Sequence, residues 1–123
     1  MLLDTHALLW WRSDPKRLQP LAHEAIAGGE HEIWLSYASV WEIAIKKALG
    51  KLNAPDNLLE LCASDGFHLL PIELPHIAAL QTLPPIHRDP FDRMLVAQAR
   101  VEALILVTND ANMMRYDVKV MTA

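Results

Sequence analysis

Four carboxylates stand where a small α/β protein could gather them around a divalent cation: Asp4, Glu42, Asp92 and Asp110. Asp4 and Asp110 end the apolar segments MLLD and LILVTND, and parallel sheets place their ligand sites outside the carboxyl ends of strands. An unpaired buried carboxylate is costly, and it either shifts its pKa or finds a cation. Acids in these places therefore indicate binding of a hard, oxygen-seeking cation beside a phosphate.

Asp4 and Asp110 also have a structural alternative as helix caps. Each precedes a predicted helical segment, and Asp is a common N-cap because its carboxylate accepts hydrogen bonds from free backbone N–H groups. Thr108 and Asn109 add short polar side chains before Asp110. His6 is expected to be a surface or hydrogen-bonded histidine. Because a capping acid at the end of a strand can also bind a metal, the two roles do not exclude each other.

Glu42 lies in the segment SYASVWEIAIKK, which is predicted to be a helix capped by Ser36. Ser39, Glu42 and Lys46 follow one another at spacings of three and four, so they form one polar stripe. The alternative to a site role is an exposed ion pair with Lys46, contributing about 0.3 to 0.5 kcal/mol. The setting favours the site role, because Ser36 and Glu42 could both look toward the region next to Asp4.

Asp92 occurs in HRDPFDRMLVAQA, at the start of another predicted helix. Asp89 is the expected N-cap, and an acid in the third helical position also favours the helix dipole, so both acids could be structural. The apolar segment 94–99 must be buried against the sheet, however, and the first turn of this helix then points toward a strand end. We interpret Asp92 as a ligand and Asp89 as a cap or supporting group. Arg88 and Arg93 are candidates for phosphate contact or for orienting the acids, with a solvated charge as the alternative.

The elements that must position these acids alternate between short apolar strands and helices, which predicts an α/β fold with a mainly parallel sheet. The predicted strands cover residues 1–4, 32–36, 68–72, 103–108 and 118–121. The predicted helices cover residues 5–12, 17–27, 36–49, 56–66, a short segment after Pro75, and 89–102. No repeat or long linker divides the chain, so one domain over residues 1–123 is expected.

The charge balance argues first against a nucleic-acid partner. The chain has 15 acidic residues against 11 Lys and Arg, a net charge of -4, whereas nucleic-acid-binding proteins usually carry a basic surplus. Without the four acids named above, however, acidic and basic residues balance at 11 each. A phosphate would therefore be approached through a bound metal and a few local cations.

Cysteine usage and hydropathy bear on the cellular compartment. The single cysteine, Cys62, cannot form an internal disulfide, which fits a reducing compartment and predicts a buried thiol. The N-terminal segment has no basic leader, and the apolar segments are only a handful of residues long. We therefore expect no signal peptide, no membrane span and a cytoplasmic location.

Four sequence blocks, in this order, carry a family resemblance: LLDTHALLWW, S-x-x-S-x-W-E-I-A-I-K, DPFDRMLVAQA and LVTND. Together they resemble the PIN-domain family, and specifically the VapC toxins of type II toxin–antitoxin pairs, over essentially the whole chain. The resemblance implies a three-layer α/β/α sandwich and an endoribonuclease that depends on Mg²⁺ or Mn²⁺. It also implies an RNA substrate such as tRNA or rRNA, a small antitoxin protein that occludes the site, and a homodimer.

By this resemblance, the catalytic acids of the family correspond to Asp4, Glu42, Asp92 and Asp110. Of these, Asp4, Asp92 and Asp110 would hold the metal, and the small polar position of the family falls on Thr5 or Thr108. The residues predicted to bind substrate or to support the acids are Thr5, Ser36, Asp89, Arg93 and Thr108. Asn112 stands where many relatives carry a further acid, so the resemblance does not specify a second metal.

The implied reaction is direct hydrolysis by a metal-activated water, with no protein nucleophile. Two other classes of protein are alternatives to a metal-dependent nuclease. A catalytically silent PIN-fold module that binds RNA or protein is one, and the complete set of four acids argues against it. A phosphoryl-transfer or receiver-type protein is the other, but His6 stands where a phosphatase would need a second Asp, and LVTND lacks the lysine of a receiver.

The tryptophans bear on packing and partners. Trp34 and Trp41 are predicted to lie in the core, and Val40, Ala44 and Ala48 are predicted to form the apolar stripe of the same helix as Trp41. Trp10 and Trp11 are adjacent on one predicted helix and point about 100° apart. One of them is expected to contact a partner, because tryptophan is enriched at interface hot spots.

Overall fold

Five short parallel strands and six α-helices make up the computed structural model, which describes residues 1–123. The strands are β1 (Leu2–Leu3), β2 (Trp34–Ser36), β3 (His68–Leu70), β4 (Leu106–Thr108) and β5 (Val120–Thr122). The helices are α1 (Thr5–Ser13), α2 (Pro20–Ala27), α3 (Tyr37–Ala48), α4 (Leu58–Ser64), α5 (Leu74–Leu80) and α6 (Pro90–Val101). Every predicted strand and the six predicted helices are present, although the strands are shorter than predicted. The helical segment predicted after Asp110 is only a 3₁₀ turn, Met113–Arg115.

Two helices begin later than predicted. A 3₁₀ turn at Pro15–Arg17 precedes α2, which begins at Pro20, a position that suits proline because the first helical N–H needs no partner. Asp56 does not begin α4; its carboxylate instead pairs with Lys47 at 2.8 Å. In both cases a local polar or turn-forming contact replaces the first turn of the predicted helix.

All neighbouring strands of the sheet are parallel, in the order β3-β2-β1-β4-β5, so the predicted parallel sheet is confirmed. The chain builds outward from β1 through β2 to β3, and then returns to place β4 on the other side of β1. The boundary between β1 and β4 is therefore the topological switch point, where open α/β sheets bind ligands. Asp4 and Thr108 stand at the carboxyl ends of these two strands.

Two separate apolar clusters cover the two faces of the sheet, which confirms the three-layer sandwich. Side chains alternate between the faces along a strand, and accordingly Leu3 lies in one cluster and Leu2 in the other. The cluster around Leu3 includes side chains of α1, α2 and α4, whereas the cluster around Leu2 is built mainly by α6. Helices α1 and α6 therefore lie on opposite faces of the sheet.

Helix α3 presents its polar stripe inward, which is the orientation that the site role of Glu42 predicts. Ser39 and Glu42 are buried, whereas Ala44 and Ala48 are exposed. Trp41 is 59% exposed, so its predicted place in the core is wrong. The reason is that α3 passes beside the polar end of the sheet. Its polar side chains form hydrogen bonds there, which apolar side chains could not form.

The outer side of α3 carries a row of large apolar side chains one turn apart. These side chains, which we call the outer stripe, are Tyr37, Trp41, Ile45 and Leu49. Trp34, on β2, is half-buried and packs against the core. The exposed row follows the outer side of α3, and an apolar pocket there joins Tyr37 and Trp41 to the exposed Leu59 and Leu69.

The thiol of Cys62 is buried, as predicted, and burial raises its pKa to about 11. It is therefore held as a neutral thiol at ordinary pH. None of the helices combines the length and the apolar character needed to cross a membrane.

Candidate metal centre

Asp4 joins the end of β1 to the end of β4. Its Oδ1 accepts a hydrogen bond from the Ala7 backbone N–H at 2.7 Å, and its Oδ2 accepts one from Thr108 Oγ1 at 2.5 Å. The residue is only 3% exposed. Burial raises the pKa of Asp4, although the hydrogen bonds from Thr108 and Ala7 oppose that shift. Asp4 is therefore the N-cap of α1 and also a buried acid at the switch point.

Glu42 reaches the same region from α3. Its Oε1 accepts a hydrogen bond from Thr5 Oγ1 at 2.6 Å, and Lys46 Nζ lies 2.8 Å from its Oε2. Ser39 Oγ lies 3.0 Å from the Thr5 hydroxyl. The predicted Glu–Lys pair is thus present, but the Glu42 carboxylate is buried, so the pair is not an exposed one. The hydrogen bond to Glu42 raises the pKa of Lys46.

Asp89 lies just before the first turn of α6, and Asp92 lies in that turn. Asp89 Oδ1 accepts hydrogen bonds from the Phe91 and Asp92 backbone N–H groups at 2.8 and 3.2 Å, which confirms its predicted capping role. Asp92 has a side chain only 18% exposed. Burial, followed by the negative charges of Asp89 and Glu42, raises the pKa of Asp92 to about 7.

Asp110 follows β4 and accepts backbone hydrogen bonds from the turn that leads into the 3₁₀ segment Met113–Arg115. Its Oδ1 accepts hydrogen bonds from the Asn112 and Met113 backbone N–H groups at 2.8 and 2.9 Å. Burial alone would raise the pKa of Asp110, but the Met113 hydrogen bond and the nearby His87 outweigh it, so this pKa is lowered. Asp110 therefore accepts backbone hydrogen bonds as a cap does, although no helix follows and the N-cap of the 3₁₀ turn is Asn112. Its other oxygen, Oδ2, lies 3.3 Å from His87 Nε2.

His87 is the site residue that sequence reasoning missed. Its Nε2 lies 3.0 Å from Asp92 Oδ2 and 3.3 Å from Asp110 Oδ2. One ligand atom from each of these three side chains falls within 4.8 Å of the others. The available signal was the position of His87 two residues before the predicted cap, Asp89, at the same end of α6 as Asp92.

Two predicted supporting residues make their hydrogen bonds elsewhere. Ser36 caps α3 through the Ala38 N–H, as predicted, and its hydroxyl donates to the buried Gln98. Arg93 donates to the Pro84 carbonyl oxygen at 3.0 Å and, at longer distances, to the carbonyl oxygens of His87 and Leu80. Neither residue hydrogen-bonds to one of the four acids, so their contact with a substrate stays a prediction.

The centre gathers more negative charge than its own cations balance. Asp89, Glu42 and Asp110 all raise the pKa of Asp92, and Asp110 also contributes to the raised pKa of Asp4. Five carboxylates thus stand near one another, with one lysine, Lys46, paired to them. Carboxylate oxygens are the ligands that hard divalent cations prefer, and such a cation would relieve this repulsion. The donor set therefore fits a hard divalent cation.

The fold and the site together define a class of protein. It is an α/β/α sandwich that collects acids at the switch point of an all-parallel sheet. A sequence model of the PIN domain matches residues 1–119. The chain belongs to the PIN domain family.

Similar proteins agree with this assignment. Ribonuclease VapC22 of Mycobacterium tuberculosis is 30% identical over 115 residues, which cover 89% of this chain and 86% of that protein. The fold resembles VapBC2 from Rickettsia felis bound to a promoter DNA fragment (TM-score 0.71, 13% identity, 98% of this chain and 96% of that one). It also resembles DNA-bound VapBC from Salmonella typhimurium (TM-score 0.69, 16% identity, 98% and 95%). FitAcB from Neisseria gonorrhoeae is a further neighbour (TM-score 0.65, 22% identity, 98% and 96%).

Proposed function

We propose that this chain is a metal-dependent endoribonuclease and the toxin of a toxin–antitoxin pair. The observation that carries the proposal is the gathering of acids near the switch point. Asp92 and Asp110 offer ligand atoms within 4.8 Å of each other and of His87, the charge of Asp110 also acts on Asp4, and the pKa of Asp92 is raised to about 7. The similarity to a protein named ribonuclease VapC22 supports the ribonuclease activity. The toxin–antitoxin complexes among the solved neighbours support an antitoxin partner.

Asp4, Asp92 and Asp110 would hold Mg²⁺ or Mn²⁺ through their carboxylate oxygens. When bound, the cation would polarise a phosphate oxygen and lower the pKa of a water. The hydrogen bonds of Asp4 to Thr108 and to the Ala7 amide hold its carboxylate at the end of β1. The capping hydrogen bonds of Asp110 hold its Oδ1, so that Oδ2 faces the site. These ligands are thus oriented before any cation arrives.

Glu42 has a different role in this proposal, because its carboxylate already forms an ion pair with Lys46. Thr5 and Lys46 hold the carboxylate in place, and it adds negative charge near Asp92 that strengthens cation binding. Lys46 balances part of that charge, and its side chain is 41% exposed. Lys46 is therefore also available to contact a phosphate of the substrate.

The proposed substrate is RNA with unpaired loops, tRNA and rRNA being the expected classes. Hydrolysis by water would leave a 5′-phosphate and a 3′-hydroxyl and would not use the 2′-hydroxyl. Selectivity for RNA would therefore come from the shape of the substrate and its single-stranded loops. The exposed Arg88, next to His87, and Lys46 are proposed to contact the RNA backbone.

The proposed protein partners are an antitoxin that occludes the acids and a second copy of the chain, in the cytoplasm. The outer stripe of α3 supports a protein contact, because solvent-exposed apolar rows of this kind mark interaction surfaces. Trp10 and Trp11, proposed from the sequence, are both half-buried. Trp10 packs on Arg17, and the Trp11 indole N–H donates to Asp65. Their part in a partner contact remains a proposal.

The test is cleavage of structured RNA by the purified chain, freed of antitoxin, with and without Mn²⁺. Asp4→Asn is the site variant, because Asn preserves the cap of α1 while removing a charge. Asp117→Asn removes the same charge from an exposed position and is the matched control. We expect Mn²⁺-dependent cleavage by the parent and by the control variant, and none by Asp4→Asn.

Two results would contradict this function. Cleavage that Asp4→Asn retains would point to a contaminating nuclease. RNA binding without cleavage by the parent would favour the catalytically silent module. Mapping the ends of cellular RNA after brief induction would identify the substrate.

A further inference from the structure

We infer that His87 is a positioning residue: its Nε2–H donates to the Asp110 carboxylate and lies against the Asp92 carboxylate, and the imidazole does not itself bind the metal. This inference rests on the metal-dependent function proposed above. His87 lies in the segment between α5 and α6, whereas Asp92 lies in α6 and Asp110 follows β4. One imidazole nitrogen thus joins acids that come from two separate elements.

Distance alone would equally allow His87 to be a ligand. Its Nε2 lies 3.0 Å from Asp92 Oδ2 and 3.3 Å from Asp110 Oδ2, and the three groups are close enough to surround one cation. Histidine nitrogen is also a common ligand of transition metals. The position of the ring proton separates the two roles, because a ligand nitrogen needs its lone pair and a donor nitrogen needs its hydrogen.

The backbone decides where that proton lies. The Asp89 N–H donates a hydrogen bond to His87 Nδ1 at 3.2 Å. Nδ1 must therefore present a lone pair, and a neutral imidazole then carries its single hydrogen on Nε2. A metal-bound histidine has the opposite arrangement, in which the other ring nitrogen donates to a carbonyl or carboxylate. His87 is consequently a donor to Asp110 Oδ2, and the same ring nitrogen lies 3.0 Å from Asp92 Oδ2.

The segment that carries His87 is held by side chains of two other elements. The His87 backbone N–H donates to Tyr116 Oη at 2.8 Å. Arg93 Nη1 donates to the same hydroxyl at 3.1 Å and to the Pro84 carbonyl at 3.0 Å. The His87 side chain is only 15% exposed. Arg93 and Tyr116 thus fix the imidazole in the position from which it reaches both acids.

The consequence for the site is a fixed separation between two acids of like charge. A ring N–H that donates to Asp110 Oδ2, from a nitrogen 3.0 Å from Asp92 Oδ2, opposes the repulsion between the two carboxylates. Each oxygen keeps a lone pair for the cation. Groups that orient metal ligands in this way typically contribute roughly 10- to 100-fold to metal affinity. Loss of the imidazole should therefore weaken metal binding without removing a ligand.

The experiment compares Mn²⁺ binding by the full chain and by three variants, using electron paramagnetic resonance. His87→Ala removes the donor, His87→Gln places an amide N–H near the position of Nε2, and His31→Ala is a matched control at an exposed histidine. We expect His87→Ala to weaken Mn²⁺ binding by roughly 10- to 100-fold, and His87→Gln to stay within a few-fold of the parent. His31→Ala should have no effect. Circular dichroism establishes that each variant is folded.

Two spectroscopic readouts separate the donor from a ligand. In the metal-free chain, the ¹⁵N NMR signals of the His87 ring should show the proton on Nε2. In the Mn²⁺-bound chain, electron spin-echo spectra should show no nitrogen bound directly to the ion. A proton on Nδ1, a directly bound nitrogen, or unchanged Mn²⁺ affinity in a folded His87→Ala variant would each overturn the inference.

A different result would contradict the proposed nuclease function and leave the role of His87 open to its own test. A parent chain that binds no Mn²⁺ would contradict the metal-dependent nuclease, whereas the ring proton of His87 is still read in the metal-free chain. The role of His87 as a donor can thus be overturned or supported independently of catalysis.

Discussion

At the scale of single residues, the acids of the centre differ in whether their surroundings stabilise or destabilise the ionised carboxylate. Asp110 is partly exposed and accepts two backbone hydrogen bonds, and its pKa is lowered. Asp92 is more buried and faces other carboxylates, and its pKa is raised to about 7. A cation bound between these two acids would therefore stabilise the site most by replacing the proton of Asp92.

This difference predicts how stability depends on pH in the absence of metal. The unfolded chain releases the Asp92 proton near its ordinary pKa of 3.8, whereas the folded chain holds it up to about pH 7. Between these values the native state binds more protons than the unfolded state, so the free energy of unfolding falls as the pH rises. The raised pKa of Asp4 acts in the same direction.

A divalent cation should reverse that loss by taking the place of the proton. We expect Mg²⁺ to raise the melting temperature more at pH 8 than at pH 6, as measured by differential scanning calorimetry. Asp92→Asn, which has no proton to lose, should show a smaller metal effect at both pH values. Asp117→Asn should behave as the parent. An equal Mg²⁺ effect at pH 6 and pH 8 in the parent would contradict the prediction.

At the scale of the elements, α6 couples a helix cap to the chemistry of its first turn. Asp89 accepts hydrogen bonds from the Phe91 and Asp92 amides, and its charge raises the pKa of Asp92. The amide of Asp89 also donates to the imidazole of His87. The beginning of one helix thus places three of the groups that surround the proposed cation.

The two contributions of the Asp89 side chain can be separated by two substitutions. Asp89→Asn keeps a good cap but removes the charge, and Asp89→Ala removes both. We expect Asp89→Ala to be about 1 kcal/mol less stable than Asp89→Asn in urea unfolding without metal. Both variants should lower the pKa of Asp92, as measured by ¹³C NMR of its carboxyl group. Equal stability of the two variants would show that the cap contributes nothing.

At the scale of the whole molecule, the acids of the centre and the exposed apolar side chains of α3 occupy separate parts of the surface. The acids gather at the switch point and account for the excess negative charge of the chain, whereas the outer stripe lies along the exposed side of α3. Trp41 links the two regions, because its ring meets that of Phe91 in α6 edge-on, with centroids 5.1 Å apart. A partner seated on the outer stripe would therefore also contact the first turn of α6.

The outer stripe predicts self-association that a buried charge would disrupt. We expect Trp41→Glu and Leu49→Glu to weaken dimerisation by at least about 30-fold, corresponding to a hot-spot loss of about 2 kcal/mol. Sedimentation equilibrium measures the effect. Leu21→Glu is the matched control, because Leu21 is 74% exposed on a different helix, α2. A dimer that both stripe variants preserve would exclude the outer stripe as its interface.

Much of the architecture could be predicted from local sequence patterns. Apolar segments that end at Asp4 and Asp110 predicted two strands with acids at their carboxyl ends, and both acids were found there. Asp89 followed by Pro90 predicted the beginning of α6. These features depend on neighbouring residues in the chain, because strand formation and capping are decided within a few positions.

The inward face of α3 and the partners of the acids depend on contacts between distant segments. Glu42 is buried and Trp41 exposed because Thr5, 37 positions away from Glu42, supplies a hydrogen-bond partner inside. Thr108 meets Asp4 across 104 positions of sequence. Local periodicity establishes which side chains share a face, but the groups packed against a face decide whether it is buried. The amino-acid sequence therefore determined the elements and the acids at their ends, and the packing of the elements decided which groups hold those acids.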